Sequence, residues 1–308
     1  MNDINDIASK HLGRASDGTI VQAYVTPDVI DPTLLVGVPR ILNRTQYEID
    51  ENNLPFVGTD TWNCYEFSTL LDNGYPLSGV LRIVYPSNSM NIVESKSLKL
   101  YLNSFNMYRS GSTLEEAVLK VEERIARELT AVIGANVEAV LHTNSVPSKA
   151  PFLIEFTKLE DIVSVGRLQF NSYNEDPNIL QVVDQSRDFS APGFTTNALR
   201  SNCRVTNQPD WGDVFIHYTG PLSVTPESLL QYIVSMRREN HFHEEICECI
   251  YKRLDDALKP TSLFVSCLYT RRGGIDINPL RASSLAVLLG IGGNLATPYV
   301  LNHKTMRQ

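Results

Sequence analysis

The chain has 308 residues, 43% of them hydrophobic, and a formal net charge of -8. That length and apolar share suffice for a sizeable core and two domains. The acidic balance excludes the basic face of a duplex nucleic-acid binder and leaves small, nucleobase-like ligands open.

In chain order, residues 1–55 read as an irregular arm punctuated by Pro27, Pro32, Pro39 and Pro55. The polar, acidic start at residues 1–6 is no signal peptide. Strand-like segments at 59–70 and 77–85 flank the turn signal Asp72-Asn73-Gly74. Helices are predicted over 94–105 and 113–133. The second has Leu114, Val118, Val121, Ile125, Leu129 and Val132 at helical spacing, with Thr113 and Glu116 as a capping box. Strands follow at 137–142 and 151–157, then a polar connection over 158–178.

The second half repeats this order. A hairpin is predicted from 195–205 and 213–219, helices over 226–238 and 243–258, and closing strands over 263–270 and 274–278. Short matches point to a tandem duplication: Glu94-Ser95 with Glu227-Ser228, the segment from Tyr101 with that from Tyr232, and Asn63-Cys64 with Asn202-Cys203. The apolar run at 285–291 is too short to span a bilayer, so no membrane contact is expected.

Five cysteines (Cys64, Cys203, Cys247, Cys249, Cys267) are an odd number without framework spacing, which points to a reducing cytoplasm. Cys203 differs from the rest. Its neighbours Asn202, Arg204, Thr206, Asn207 and Gln208 are polar, and Arg204 would favour a thiolate if turned toward the sulfur. Local chemistry alone leaves a small buried hydrophobe and a nucleophile equally open. Asp210 lies seven residues on, after Pro209. It is either a turn residue or a general acid, and the second role needs a proton held near neutral pH by burial or like charge. Glu94 and Glu244 are first-turn charges of helices or a carboxylate pair for the N–H edge of a guanine-like ring. Arg271-Arg272-Gly273-Gly274 reads by itself as an exposed hairpin turn.

Two rival signals fail on geometry. His241, His243, Cys247 and Cys249 suggest zinc, but residues two apart on a helix point to different sides, so no metal is expected. Gly290-Ile291-Gly292-Gly293-Asn294-Leu295 is a partial dinucleotide fingerprint without room for a βαβ unit of ~30 residues.

Three blocks, Glu94-Ser95-Lys96, the run from Asn202-Cys203 to Asp210-Trp211, and Phe242-His243-Glu244, resemble the NADPH-dependent 7-cyano-7-deazaguanine reductases of queuosine biosynthesis, in their long two-module form. The resemblance covers roughly residues 56–280. It implies an α+β fold of tandem tunnelling-fold modules, each an antiparallel sheet of about four strands with two helices on one face. The domains expected are an arm (1–55), a first module (56–170), a second module (171–280) and a tail (281–308). It implies Cys203 as the thioimide-forming nucleophile and Asp210 as proton donor. Val93, Glu94, Ser95, Phe242, His243 and Glu244 would hold the purine-like substrate. Ser95, Lys96, Arg272 and Gly273 would contact NADPH, consumed as two equivalents per turnover. Cys64 is expected to be structural. A homodimer with no direct nucleic-acid partner is expected. Competing functions are a zinc-dependent cyclohydrolase or pterin enzyme of the same fold, and a non-catalytic purine-binding module.

Overall fold

The computed structural model describes residues 29–74, 76–143, 149–204, 209–305 and 308. The first half of the expected arm, Val205 and the polar residues Thr206, Asn207 and Gln208 near Cys203 lie outside them. We label the main elements in chain order. The first half has α1 (Ile41–Arg44), β1 (Val57–Leu71), β2 (Pro76–Pro86), α2 (Ser95–Asn103), α3 (Leu114–Ile133) and β3 (Glu138–His142). The second half has β4 (Phe156–Lys158), β5 (Gly193–Thr196), β6 (Arg200–Cys203), β7 (Pro209–Thr219), α4 (Pro226–Ser235) and β8 (Asn240–His241). It closes with α5 (His243–Leu258), β9 (Ser262–Tyr269), β10 (Ile275–Ala282) and α6 (Leu285–Gly292).

Among the described residues the two halves share one sheet of 11 strands, whose main path runs β8-β6-β7-β9-β10-β1-β2-β3. The halves join where β10 pairs with β1 over eight residues, from Ile275 opposite Cys64 to Ala282 opposite Val57. The strand alternation places α2 and α3 over Trp62, Leu81 and Ile83, and α4 and α5 over Val214, Ile216 and Val265, as two separate apolar clusters on one face. Each such fully buried aliphatic side chain contributes about 1.5–3 kcal/mol. A third cluster on the opposite face seats α6, through Leu288 and Ile291, on Phe264 and Leu280.

Four details differ from the sequence reading. The strand expected at 151–157 is the short β4, which pairs in parallel with β5 of the second half. The strand expected at 195–205 is two strands, β5 and β6, that meet the same partner β7. The closing strand predicted at 274–278 runs on to Ala282. The capping box is half formed: Thr113 accepts from Glu116 N, while the Glu116 carboxylate accepts from Ser112 N instead of Thr113 N.

The duplication is present but its register is not the one the short matches suggested. β1 pairs in parallel with residues 109–111 at Leu70 and Leu71, and β6 pairs in parallel with β8 at Asn202 and Cys203. Leu71, rather than Cys64, therefore holds the place of Cys203. Ser97 Oγ donates to Glu94 O and accepts from Val36 N; Ser228 Oγ donates to Thr225 O and accepts from Gln181 N. Thr225, rather than Glu227, is thus the counterpart of Glu94. The leading segments repeat too. Asp31 caps a one-turn helix at Pro32–Leu34 and Asp176 caps one at Pro177–Ile179, each followed by a short strand. Part of the supposed arm, and the end of the supposed connection, are equivalent elements of the repeat.

Candidate active site

One cavity of about 320 Å³ lies on the helix-bearing face where the halves meet. It is lined by Val93, Glu94, Ser95 and Lys96 of the first half. Cys203, Asp210, Phe242, His243, Glu244, Arg272 and Gly273 of the second half complete it. Every residue singled out from the sequence thus reaches one wall of it. Trp62, Lys99, His241, Ile275 and Ile277 line it as well and were not foreseen. The only signal for Trp62, Ile275 and Ile277 is apolar alternation along β1 and β10, which is equally a core signal, while Lys99 lies on α2 and His241, considered only as a metal ligand, on β8.

Short local rules bring the second-half residues together. Cys203 ends β6 and lies opposite His241 of β8. The chain leaves β8 directly into α5, so Phe242, His243 and Glu244 follow within three residues. Asp210 lies opposite Ser201, so its side chain shares the Cys203 face. Cys203 is half-buried, whereas the other four thiols are buried. Burial pushes the Cys64 and Cys249 thiols up, away from the thiolate. Arg204 is turned to Glu245 (3.3 Å), Asn43 (3.3 Å) and His241 (3.5 Å).

Asp210 is buried and doubly held. Arg272 Nη1 donates to its Oδ1 at 2.5 Å, and His243 Nε2 lies 3.3 Å from its Oδ2. The residue expected to donate a proton is therefore an acceptor in this arrangement, and Arg272, expected at the cofactor, is its partner. His243 stacks on Tyr269 with centroids 3.9 Å apart and rings 14° from parallel.

The two carboxyl groups differ. Glu94 is the N-cap of α2, and its oxygens accept from Lys96 N (3.0 Å) and Ser97 N (2.7 Å). With Ser95 Oγ as a third donor at 3.4 Å, part of the roughly four-site acceptor capacity of a carboxylate remains for a ligand. Glu244 is 1% exposed, and its pKa is raised to about 8, first by loss of solvation and then by Asp60. Asp60 belongs to a buried ion cluster. Arg281 bonds both Asp60 (2.8 Å) and Glu248 (2.9 Å), Arg40 bonds Asp60, and Arg44 Nε bonds Glu248 at 3.0 Å. Arg40 and Arg44 come from the segment read as an arm. Isolated charges with no spacing pattern gave no sequence signal for this cluster.

Two buried donors or acceptors in the cavity wall, Trp62 Nε1 and His243 Nδ1, have no hydrogen-bond partner among the described residues. Such groups are costly unless a ligand completes them. Arg272, Lys96 and Lys99 give the cavity mouth fixed positive charge. Gly273 and Gly274 adopt φ of 55° and 77°, and a Cβ on Gly274 would fall 2.4 Å from Glu66 Cγ, so the turn brings backbone close where a side chain would not fit. The wall therefore fits a dinucleotide phosphate beside a planar polar ring. Among the described residues no cluster of three or more His, Cys, Asp or Glu is placed to hold a metal. Cys247 faces Val265 O and Pro279 O, while Cys249 faces Tyr232.

Tandem tunnelling-fold modules with a thiol and three carboxyl groups gathered in one cavity at their junction are the makings of an enzyme site. Comparison with known proteins narrows it. Residues 26–141 match the family described as "Nitrile reductase, 7-cyano-7-deazaguanine-reductase N-term", and residues 209–286 match that described as "QueF-like protein". The chain is 39% identical over 256 residues to the NADPH-dependent 7-cyano-7-deazaguanine reductase of Colwellia psychrerythraea, covering 82% of this chain and 86% of that one. It is 39% identical over 262 residues to the reductase of the same name from Rickettsia massiliae, covering 85% and 91%. The chain belongs to the 7-cyano-7-deazaguanine reductase family. The family match begins about thirty residues before the stretch the sequence motifs covered, in keeping with the repeated leading segments.

Proposed function

We propose that this protein reduces the nitrile of 7-cyano-7-deazaguanine to the aminomethyl group, using NADPH, in the pathway to queuosine. The observation that carries this reading is the single cavity in which Cys203, Asp210, Glu94 and Glu244 converge from both halves. Cys203 Sγ adds to the nitrile carbon, and the nitrogen takes a proton to give a thioimide. NADPH supplies the hydrides, two per nitrile, and two protons complete the balance to an amine. The Cys203 thiol is released after the first reduction. Holding the imine in the cavity between the halves would limit its contact with water, which would otherwise hydrolyse it to an aldehyde.

Asp210 is the proton donor in this reading, with a condition the geometry imposes. A carboxylate receiving from Arg272 and His243 must first lose one of them or be protonated through His243. Glu94 and Glu244 accept from the ring N–H groups, and His243 Nδ1 and Trp62 Nε1 find partners on the ring. Lys96, Ser95, Arg272 and Gly273 hold the cofactor. A homodimer in a reducing cytoplasm is proposed, with no membrane or direct nucleic-acid partner. Among the described residues no helix is long and apolar enough to cross a membrane.

The test is intact-protein mass after incubation with the nitrile and without NADPH. One ligand mass per chain is expected in the wild type and none in Cys203→Ala. Labelling that survives in Cys203→Ala and disappears in Cys64→Ala would overturn the assignment.

A further inference from the structure

The hairpin that carries Arg272 and Gly273 is closed at both ends, by the Arg272–Ile275 bridge at the turn and by the β9–β10 ladder at the far end, and is open between them. β9 and β10 pair over residues 264–266 against 280–282. Both strands run on, one to Tyr269 and the other back to Ile275, yet their mutual ladder stops. Pro279 has no N–H to offer a neighbour, and Cys247 of α5 reaches its carbonyl at 3.7 Å. The open middle lies beside the cavity, which Arg272, Gly273, Ile275 and Ile277 line. Tyr269 on one arm stacks on His243, and Arg272 at the tip of the turn reaches Asp210.

The opposite face of this opening is bridged. Gln308 Nε2 donates to Tyr269 O (3.5 Å) and to Asn278 Oδ1 (2.5 Å), one on each arm. Lys304 Nζ lies 3.0 Å from Asp276 Oδ2 and 5.2 Å from the Tyr65 ring centre. Arg271 covers the same ring at 3.6 Å, and the Tyr65 hydroxyl donates to Asp276 at 2.7 Å. Strand alternation puts Asp276 and Asn278 on this face and Ile275 and Ile277 in the cavity wall. The segment is brought here by Arg82, a fully buried side chain that donates to the carbonyls of Asn294, Leu295 and Thr297 and to Asn302 Oδ1.

We infer that Gln308 and Lys304 are positioning residues for the cavity, setting the width of the β9–β10 opening from behind the sheet and with it the spacing of Arg272 from the His243–Tyr269 stack. The kinetic part of this inference rests on the functional reading above. Neither residue touches the cavity, so neither would take part in chemistry.

The experiment compares wild type with Gln308→Ala, Lys304→Met and the conservative Lys304→Arg. Amide hydrogen exchange across residues 269–276 and steady-state kinetics are both measured. Gln308→Ala and Lys304→Met should speed exchange in this turn and raise KM for NADPH by about five- to tenfold, the scale of a lost hydrogen bond, with kcat within about twofold. Lys304→Arg should restore both. Unchanged exchange, or kcat falling in step with thermal stability at constant KM, would overturn the inference. If the wild type neither captures the nitrile nor oxidises NADPH, the functional reading fails, while exchange in the turn still decides the bridge.

Discussion

The two halves are built from the same elements but line the cavity with different residues. Where the second half ends its short strand β6 at Cys203, the first ends a strand of 15 residues at Leu71. Where the first half caps α2 with Glu94, the second caps α4 with Thr225. Both caps satisfy the same helix-end donors, so the fold accepts either. Only the carboxylate leaves spare acceptor sites toward the cavity. Duplication supplied two interchangeable scaffolds, and each half kept a different part of one site.

The sharpest way to break this comparison is the thiol. Cys203→Ala should abolish nitrile capture, whereas Cys64→Ala should retain it, because Cys64 lies buried between Ile275 and Leu81 in mid-sheet. Mass spectrometry of each variant decides it.

Next comes the buried ion cluster that ties the halves together. Asp60→Asn leaves Arg40 and Arg281 facing each other with one countercharge fewer. A loss of about 3–5 kcal/mol in unfolding free energy is expected, the cost of breaking a buried pair. Denaturant titration measures it; a loss confined to the surface-pair range, under about 1 kcal/mol, would show the cluster is well hydrated.

The carboxyl pair tests whether one ligand spans both halves. Glu94→Gln and Glu244→Gln each place an N–H against a ligand N–H and should weaken nitrile binding by about 2–4 kcal/mol in a Cys203→Ala background, with NADPH affinity held. Calorimetry that finds Glu94→Gln unchanged would remove the first half from the ring site. Replacing Lys96 or Arg272 should weaken NADPH by about 1–3 kcal/mol and NADH less. Equal losses for both cofactors would reassign the two residues.

The last comparison is in pH dependence. The folded chain holds a proton on Glu244 up to about pH 8 that the unfolded chain releases near 4.5. Between those values the native state binds more protons, so stability falls as pH rises, by at most about 1.4 kcal/mol per pH unit from this group. Glu244→Gln should flatten that slope. If the bound ring needs the ionised form, binding near pH 7 should release a proton, and calorimetry in buffers of different ionisation enthalpy reads it. Proton uptake instead would mean the ring accepts from a neutral Glu244.

The amino-acid sequence by itself determined the four helices α2 to α5, the α+β order and every wall residue that lies in one of three short blocks. These are local signals: helical spacing from Leu114 to Leu129, the Glu94 start of α2, and a thiol set among polar residues. The comparison of halves was legible only as dipeptide echoes, and two of three echoes had the wrong register. Register is decided by which strands pair, and only the parallel pairs at Leu71 and Cys203 fix it. The pairing of Asp210 with Arg272, the unsolvated state of Glu244 beside Asp60, and the reach of Gln308 across an open hairpin were likewise settled by the tertiary structure. Each depends on groups far apart in sequence being brought into a poorly solvated space, where a carboxyl group's charge is set by its neighbours rather than by its type.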